Sequence, residues 1–130
     1  MSSLRYAFVL TALLAGNLAY AASGSVSLQS MQPGQSFTIQ TEDRFYRGQL
    51  VNRETGETLM AGSWDGKRFS APRKVYLLGA TAGRLPEGGG LMLVSMQQVK
   101  PGMRLELGVG SLAERDRHVT SRVLSIQVGQ

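Results

Sequence analysis

The sequence predicts an all-β fold, a small barrel or compact sandwich of seven to eight short, mainly antiparallel strands. Three observations carry this. Apolar and polar residues alternate at a spacing of two through one segment after another, which sets one row against a core and leaves the other in water. The chain has 16 glycines and 4 prolines, and many of them fall between those segments, where short strands need turns. No stretch of the mature chain carries the apolar stripe of an amphipathic helix.

The first 21 residues read as a leader rather than as part of the fold. Arg5 supplies a cationic start, Tyr6–Gly16 an apolar run, and Ala19-Tyr20-Ala21 the small residues that a signal peptidase recognises. The run is shorter than the roughly 20 residues of a bilayer span. A cleaved secretory signal over 1–21 is therefore expected, followed by one all-β domain over 22–130, with no membrane span left after cleavage. The absence of Cys excludes lipidation at the new N-terminus. The expected location is periplasmic or extracellular.

Within the domain, Ser25–Ser30 sets Val26 and Leu28 against serines, and Ser36–Thr41 does the same with Phe37 and Ile39. Phe45–Val51 and Thr58–Trp64 flank the loop Asn52–Glu57, where Gly56 can take a positive φ. Asp65-Gly66 is a tight-turn signal that predicts a short returning strand at Lys67–Ser70, with Pro72 marking a strand start or a sheet edge. Lys74–Ala80 is apolar on both faces and so predicts a central strand. Gly90–Met96 has the same character. The glycine-rich Gly83–Gly90 between them reads as a hairpin loop rather than a phosphate cradle, because a strand follows it instead of a helix. Met103–Val109 and His118–Val128 complete the strands, and Ser111–His118 is a polar loop with at most one helical turn. Met31–Gln40 and Val99–Gly108 share a Pro-Gly pair before an alternating strand, a pair suited to the centre of a type II turn.

Composition narrows the chemistry. Without Cys there is no disulfide, thiol catalysis or thiolate zinc site, and one histidine, His118, cannot build a multi-histidine metal centre. No metal or cofactor is expected. Net charge is +5, but the cations are spread, with no run longer than two. That pattern disfavours nucleic acid, whose binders concentrate cations in a stripe. It leaves another envelope protein or an anionic polymer as the expected partner. The close carboxylate pairs, Glu42 with Asp43 and Glu54 with Glu57, fall in turns rather than across a groove. His118 near Ser121 and Ser125 offers a hydrolase arrangement, the weakest reading, because no Gly-x-Ser-x-Gly elbow accompanies it. No catalytic residue is assigned.

One cluster stands out. Phe45, Tyr46, Trp64, Phe69 and Tyr76 are interleaved with basic residues, so that Arg44, Tyr46, Arg47, Trp64, Lys67 and Arg68 form a candidate ligand-binding face. Aromatics amid cations are how small barrels hold sugars or single strands. The competing demand is the core, which needs aromatic area. Trp64, beside the Asp65-Gly66 turn, is the aromatic expected to reach solvent.

Tyr46–Gly62, Phe69 with Pro72, Leu77–Ala80, Gly102–Leu107 and Val119–Ile126 together resemble small secreted all-β domains frequent in planctomycetes and related bacteria. The resemblance implies a secreted all-β domain and no catalytic residue. The sequence thus leads to a secreted or periplasmic, non-enzymatic binding or structural module of the bacterial cell envelope. The alternative is a carbohydrate- or oligonucleotide-binding barrel that uses the aromatic and basic face.

Overall fold

Period-two alternation becomes a closed ring of strands. The structure, a computed structural model, describes residues 20–22, 24–82 and 94–129. In chain order its strands are β1 (Tyr20–Ala22), β2 (Val26–Ser27), β3 (Ser36–Thr41), β4 (Phe45–Asn52) and β5 (Glu57–Ser63). They continue with β6 (Arg73–Thr81), β7 (Val94–Met96), β8 (Gln98–Val99), β9 (Arg104–Val109) and β10 (Arg117–Val128). β3 pairs with β4, β4 with β5, β5 with β6, β6 with β9, β9 with β10, and β10 again with β3, each antiparallel. That circuit is a six-stranded up-and-down barrel, and it leaves few open edges.

Two long strands make the closure. β10 pairs with β9 through Arg117–Arg122 and with β3 through Val123–Val128, and it carries a register shift within each pairing. Such bulges bend a strand and let it pass from one neighbour to the next. β6 is central, as its two apolar faces predict: it meets β5, β7 and β9. β7 pairs antiparallel with β6, and the Gly83–Gly90 segment between them lies outside the described residues, as does the first part of the strand expected over Gly90–Met96. β1 pairs with Ile126–Val128 of β10 and spans the expected cleavage point after Ala21.

The inward rows are those of the alternation. Phe37, Ile39, Leu50, Leu77, Leu105, Leu107, Val123 and Ile126 are all buried, and each such side chain contributes about 1.5–3 kcal/mol by leaving water. Gly48 lies opposite Phe37 in the β3–β4 register. A Cβ at Gly48 would fall on the Phe37 ring, so the ring occupies the space a side chain would need.

One end of the barrel is sealed. Val26 pairs with Val99 in a two-stranded ribbon of β2 and β8. A 3-10 turn over Leu28–Ser30 then carries Leu28 into the core beside Met31. The strand expected over Ser25–Ser30 is therefore cut to two residues. The physical reason is local: the Ser27 hydroxyl accepts the Gln29 amide at 3.2 Å and caps a turn. Arg53, just past the end of β4, donates to the Met31 carbonyl at 3.1 Å and holds this plug in place.

The two Pro-Gly turns are built alike. Gln35 N–H donates to the Gln32 carbonyl at 3.0 Å and Met103 N–H to Lys100 at 3.0 Å, with Gly34 at φ 90° and Gly102 at φ 89°. Gly34 and Gly102 each donate to a buried residue of the partner strand, Leu50 and Val123. Those two residues in turn donate to Gln35 and Met103.

The strand expected at Lys67–Ser70 does not form and residues 64–72 are a loop, so Pro72 marks no edge there; it stands immediately before β6, in its other expected role at a strand start. Asp65 overrides the hairpin signal. Its Oδ1 accepts the Lys67 amide at 2.8 Å and the Arg68 amide at 3.0 Å, which ties up backbone donors that a strand would pair.

Candidate functional site

In an up-and-down barrel alternate strands begin and end at the same rim. The rim opposite the plug gathers the starts of β4, β6 and β10 and the ends of β5 and β9. β5 and β6 pair only as far as Met60 with Arg73 and then diverge. The gap opens a cleft of about 690 Å³ at the barrel mouth, within the range of about 300–1,000 Å³ usual for ligand sites. Tyr46, Met60, Val75 and Leu107 form its apolar floor, and Arg44, Arg73 and His118 are also in its lining. A second hollow of about 370 Å³, lined by Trp64, Arg68 and Phe69, adjoins it and shares Arg44, Gly62 and Ser70. The two form one groove running from the Trp64 loop into the mouth.

The loop after β5 shapes the outer half. The Ser63 hydroxyl donates to Asp65 Oδ1 at 3.0 Å and accepts the Gly66 amide at 2.9 Å, while Gly66 takes φ 78°. Further along, Ser70 N–H donates to the Gly62 carbonyl at 2.9 Å, and Gly62 N–H donates to the Ser70 hydroxyl at 3.1 Å. This doubled clasp folds the loop back on β5 and presents Trp64 outward, 70% exposed. The guanidinium carbon of Arg44 sits 3.6 Å from the centroid of the Trp64 ring. Gly62 leaves the groove open at its centre, where a Cβ would come into ordinary contact with the Tyr46 ring at 3.8 Å and Arg44 Nη1 at 3.9 Å.

The electrostatics of the groove are one-sided. Among the described residues no carboxylate is in the lining of either hollow. Among the described residues the one ion pair within 4.0 Å is Glu106 with Arg117, so Arg44, Arg68 and Arg73 have no carboxylate partner there. Arg44 Nε is also buried without a hydrogen-bond partner among the described residues. Asp43 beside it is engaged elsewhere, accepting the Ser121 hydroxyl at 2.6 Å. That bond, with help from Thr41 and Arg44, holds the Asp43 carboxyl below the usual carboxylate value. The amides of Arg68 and Lys67 hold Asp65 low in the same way. Burial pushes the Tyr46 phenol up, partly opposed by Arg44.

Of the six residues singled out from the sequence, Arg44, Tyr46, Trp64 and Arg68 are brought together here. Tyr46 is a buried floor residue and Trp64 is exposed, so the aromatics divide between core and surface. Arg47 and Lys67 are not in the lining. The Arg47 guanidinium carbon lies 4.0 Å from the Phe69 centroid, and Lys67 is exposed on the loop. Arg73 and Ser70 were not anticipated as groove residues. They line the groove because the loop after β5 is clasped back onto Gly62, beside the start of β4, and because Arg73 opens β6 opposite Met60.

His118 is exposed on the rim, paired along the backbone with Leu107, and among the described residues no hydrogen bond engages its side chain. Asp116 accepts the Ser111 hydroxyl at 2.5 Å, and the Ser121 hydroxyl is given to Asp43. No nucleophile–base pair is assembled around His118. Among the described residues no group of three or more His, Asp or Glu is placed to hold a metal ion, and no helix is long and apolar enough to cross a membrane.

In comparisons with protein-family models, curated proteins and solved structures, the chain has no match.

Proposed function

We propose that the protein is a secreted or periplasmic, non-enzymatic binding module of the bacterial cell envelope that takes its ligand in the groove at the barrel mouth. The observation that carries this is the pairing of an outward-held Trp64 with a cleft whose charged lining, among the described residues, is basic. A small domain places most of its aromatic area inside. Here the single tryptophan is held out by a hydrogen-bonded loop at the open end of a barrel sealed at the other end. Concave, mostly apolar mouths of barrels with a few placed polar groups are where such folds bind ligands. The export expected of the leader places the groove in contact with envelope polymers.

The test is a backbone amide NMR titration of the full chain with a panel of envelope-type polymers and oligonucleotides. The reading predicts that a binding member shifts the amides of Arg44, Gly62, Trp64, Ser70 and Arg73. Shifts confined to the plug end, around Leu28 and Val99, contradict it. The export half is checked separately: the protein recovered from outside the cytoplasm should begin at Ala22, and recovery of intact chain from the cytoplasm counts against it.

A further inference from the structure

Resting on that binding reading, we infer that the groove ligand is an acidic oligosaccharide, a short run of pyranose rings carrying carboxylate or sulfate groups. Three features of the groove select this class. The first is charge. Arg44, Arg68 and Arg73 form no ion pair within 4.0 Å among the described residues, so binding an anion breaks none of the ion pairs described there. A guanidinium meets a carboxylate or sulfate through paired, charge-assisted hydrogen bonds, stronger than neutral ones.

The second is the aromatic surface. With Arg44 stacked on one face and the residue still 70% exposed, Trp64 offers its other face to solvent. The C–H faces of a pyranose are apolar and weakly electropositive, and they suit the negative face of an indole. A single-stranded nucleic acid asks for several open rings in succession, one for each base. The neighbouring rings are not open in that way: Phe69 and Tyr76 are each half-buried, and each carries a cation near its ring as well. One open ring beside several free cations fits a charged sugar better than stacked bases.

The third is extent. The two hollows join through Arg44, Gly62 and Ser70, so a ligand of two or more rings that starts on Trp64 can continue into the mouth, where Arg44 and Arg73 are in the lining. Ser70 lines both hollows and brings a hydroxyl to the junction.

The experiment uses the full chain and the fluorescence of Trp64, the only tryptophan, which therefore reports the groove alone. Tetragalacturonate and a sulfated chondroitin tetrasaccharide are titrated beside a neutral galactotetraose and a short oligothymidylate. The inference expects at least one acidic sugar to bind at least about tenfold tighter than the neutral sugar and the oligonucleotide, and to weaken as salt is raised. Arg44→Met should weaken that binding at least about tenfold. Gly62→Leu should block it without altering charge, and a native far-ultraviolet spectrum shows that either variant has folded. Equal or tighter binding of the neutral sugar or the oligonucleotide at this groove overturns the acidic-sugar inference while the binding reading stands. Failure of all four probes to perturb Trp64 overturns the inference and counts against the binding reading as well.

Discussion

The Arg44 guanidinium carbon lies 3.6 Å from the Trp64 ring centroid, joining the start of β4 to the loop after β5. A cation over an exposed ring is worth about 0.5–1 kcal/mol. A double-mutant cycle of Arg44→Ala and Trp64→Ala, followed by urea unfolding, should return a coupling energy of that size. A coupling near zero would show the two side chains to be independent.

The Phe37 ring occupies the volume that a side chain at Gly48 would need. Gly48→Ala should therefore destabilise the barrel by about 1–3 kcal/mol, the usual range for overpacking. In a Phe37→Leu background the same alanine should be tolerated far better, because the clashing ring is gone. Equal losses in both backgrounds would contradict the packing.

Glu106 is 1% exposed and takes one guanidinium nitrogen of Arg117 at 3.2 Å, while its second oxygen has no partner among the described residues. Arg117→Met leaves that carboxylate buried and unpaired. A loss of about 3 kcal/mol is expected, at the low end for a broken buried pair because the Arg117 side chain is 26% exposed. Adding Glu106→Leu should recover most of the loss, and chemical denaturation of the two variants checks both halves.

Asp43 and Asp65 both sit below the usual carboxylate value, Asp43 chiefly through the Ser121 hydroxyl and Asp65 through the Arg68 and Lys67 amides. A depressed carboxyl contributes stability that is present above its unfolded value, about 3.9, and is lost as pH falls through the folded one. Tyr46 runs the other way, since burial raises its phenol. Its contribution is full below about pH 10 and is lost as pH climbs through the folded value. Urea midpoints should thus decline below about pH 4 and again above about pH 10. Asp65→Asn should flatten part of the acid limb, and an unchanged limb would contradict the role given to Asp65.

The strand rows were legible because period two is written directly into Phe37 and Ile39, or Leu105 and Leu107. The exposure of Trp64 was legible from the turn beside it. The loop at 64–72 was not, because Asp65-Gly66 is an equally good signal for a hairpin and for a carboxylate-capped loop. Which one forms depends on whether the Lys67 and Arg68 amides find the Asp65 carboxylate first. Arg73 was hidden for a different reason. Its place at the mouth follows from β5 and β6 parting after Met60 and from β9 and β10 closing the ring. The β6–β9 pairing joins distant segments, Val75 with Val109, and no local pattern marks where β5 and β6 part.

The central claim is that the one tryptophan stands exposed in a basic groove, and collisional quenching of the free protein reads both properties at once. Iodide and caesium ions approach an exposed indole alike unless local charge favours one of them. With Arg44 stacked on Trp64 and Arg68 lining the same hollow, the account predicts solvent-like emission that iodide quenches more strongly than caesium, with the difference shrinking in Arg44→Met. Blue-shifted emission that resists both ions, or stronger quenching by caesium, would contradict it.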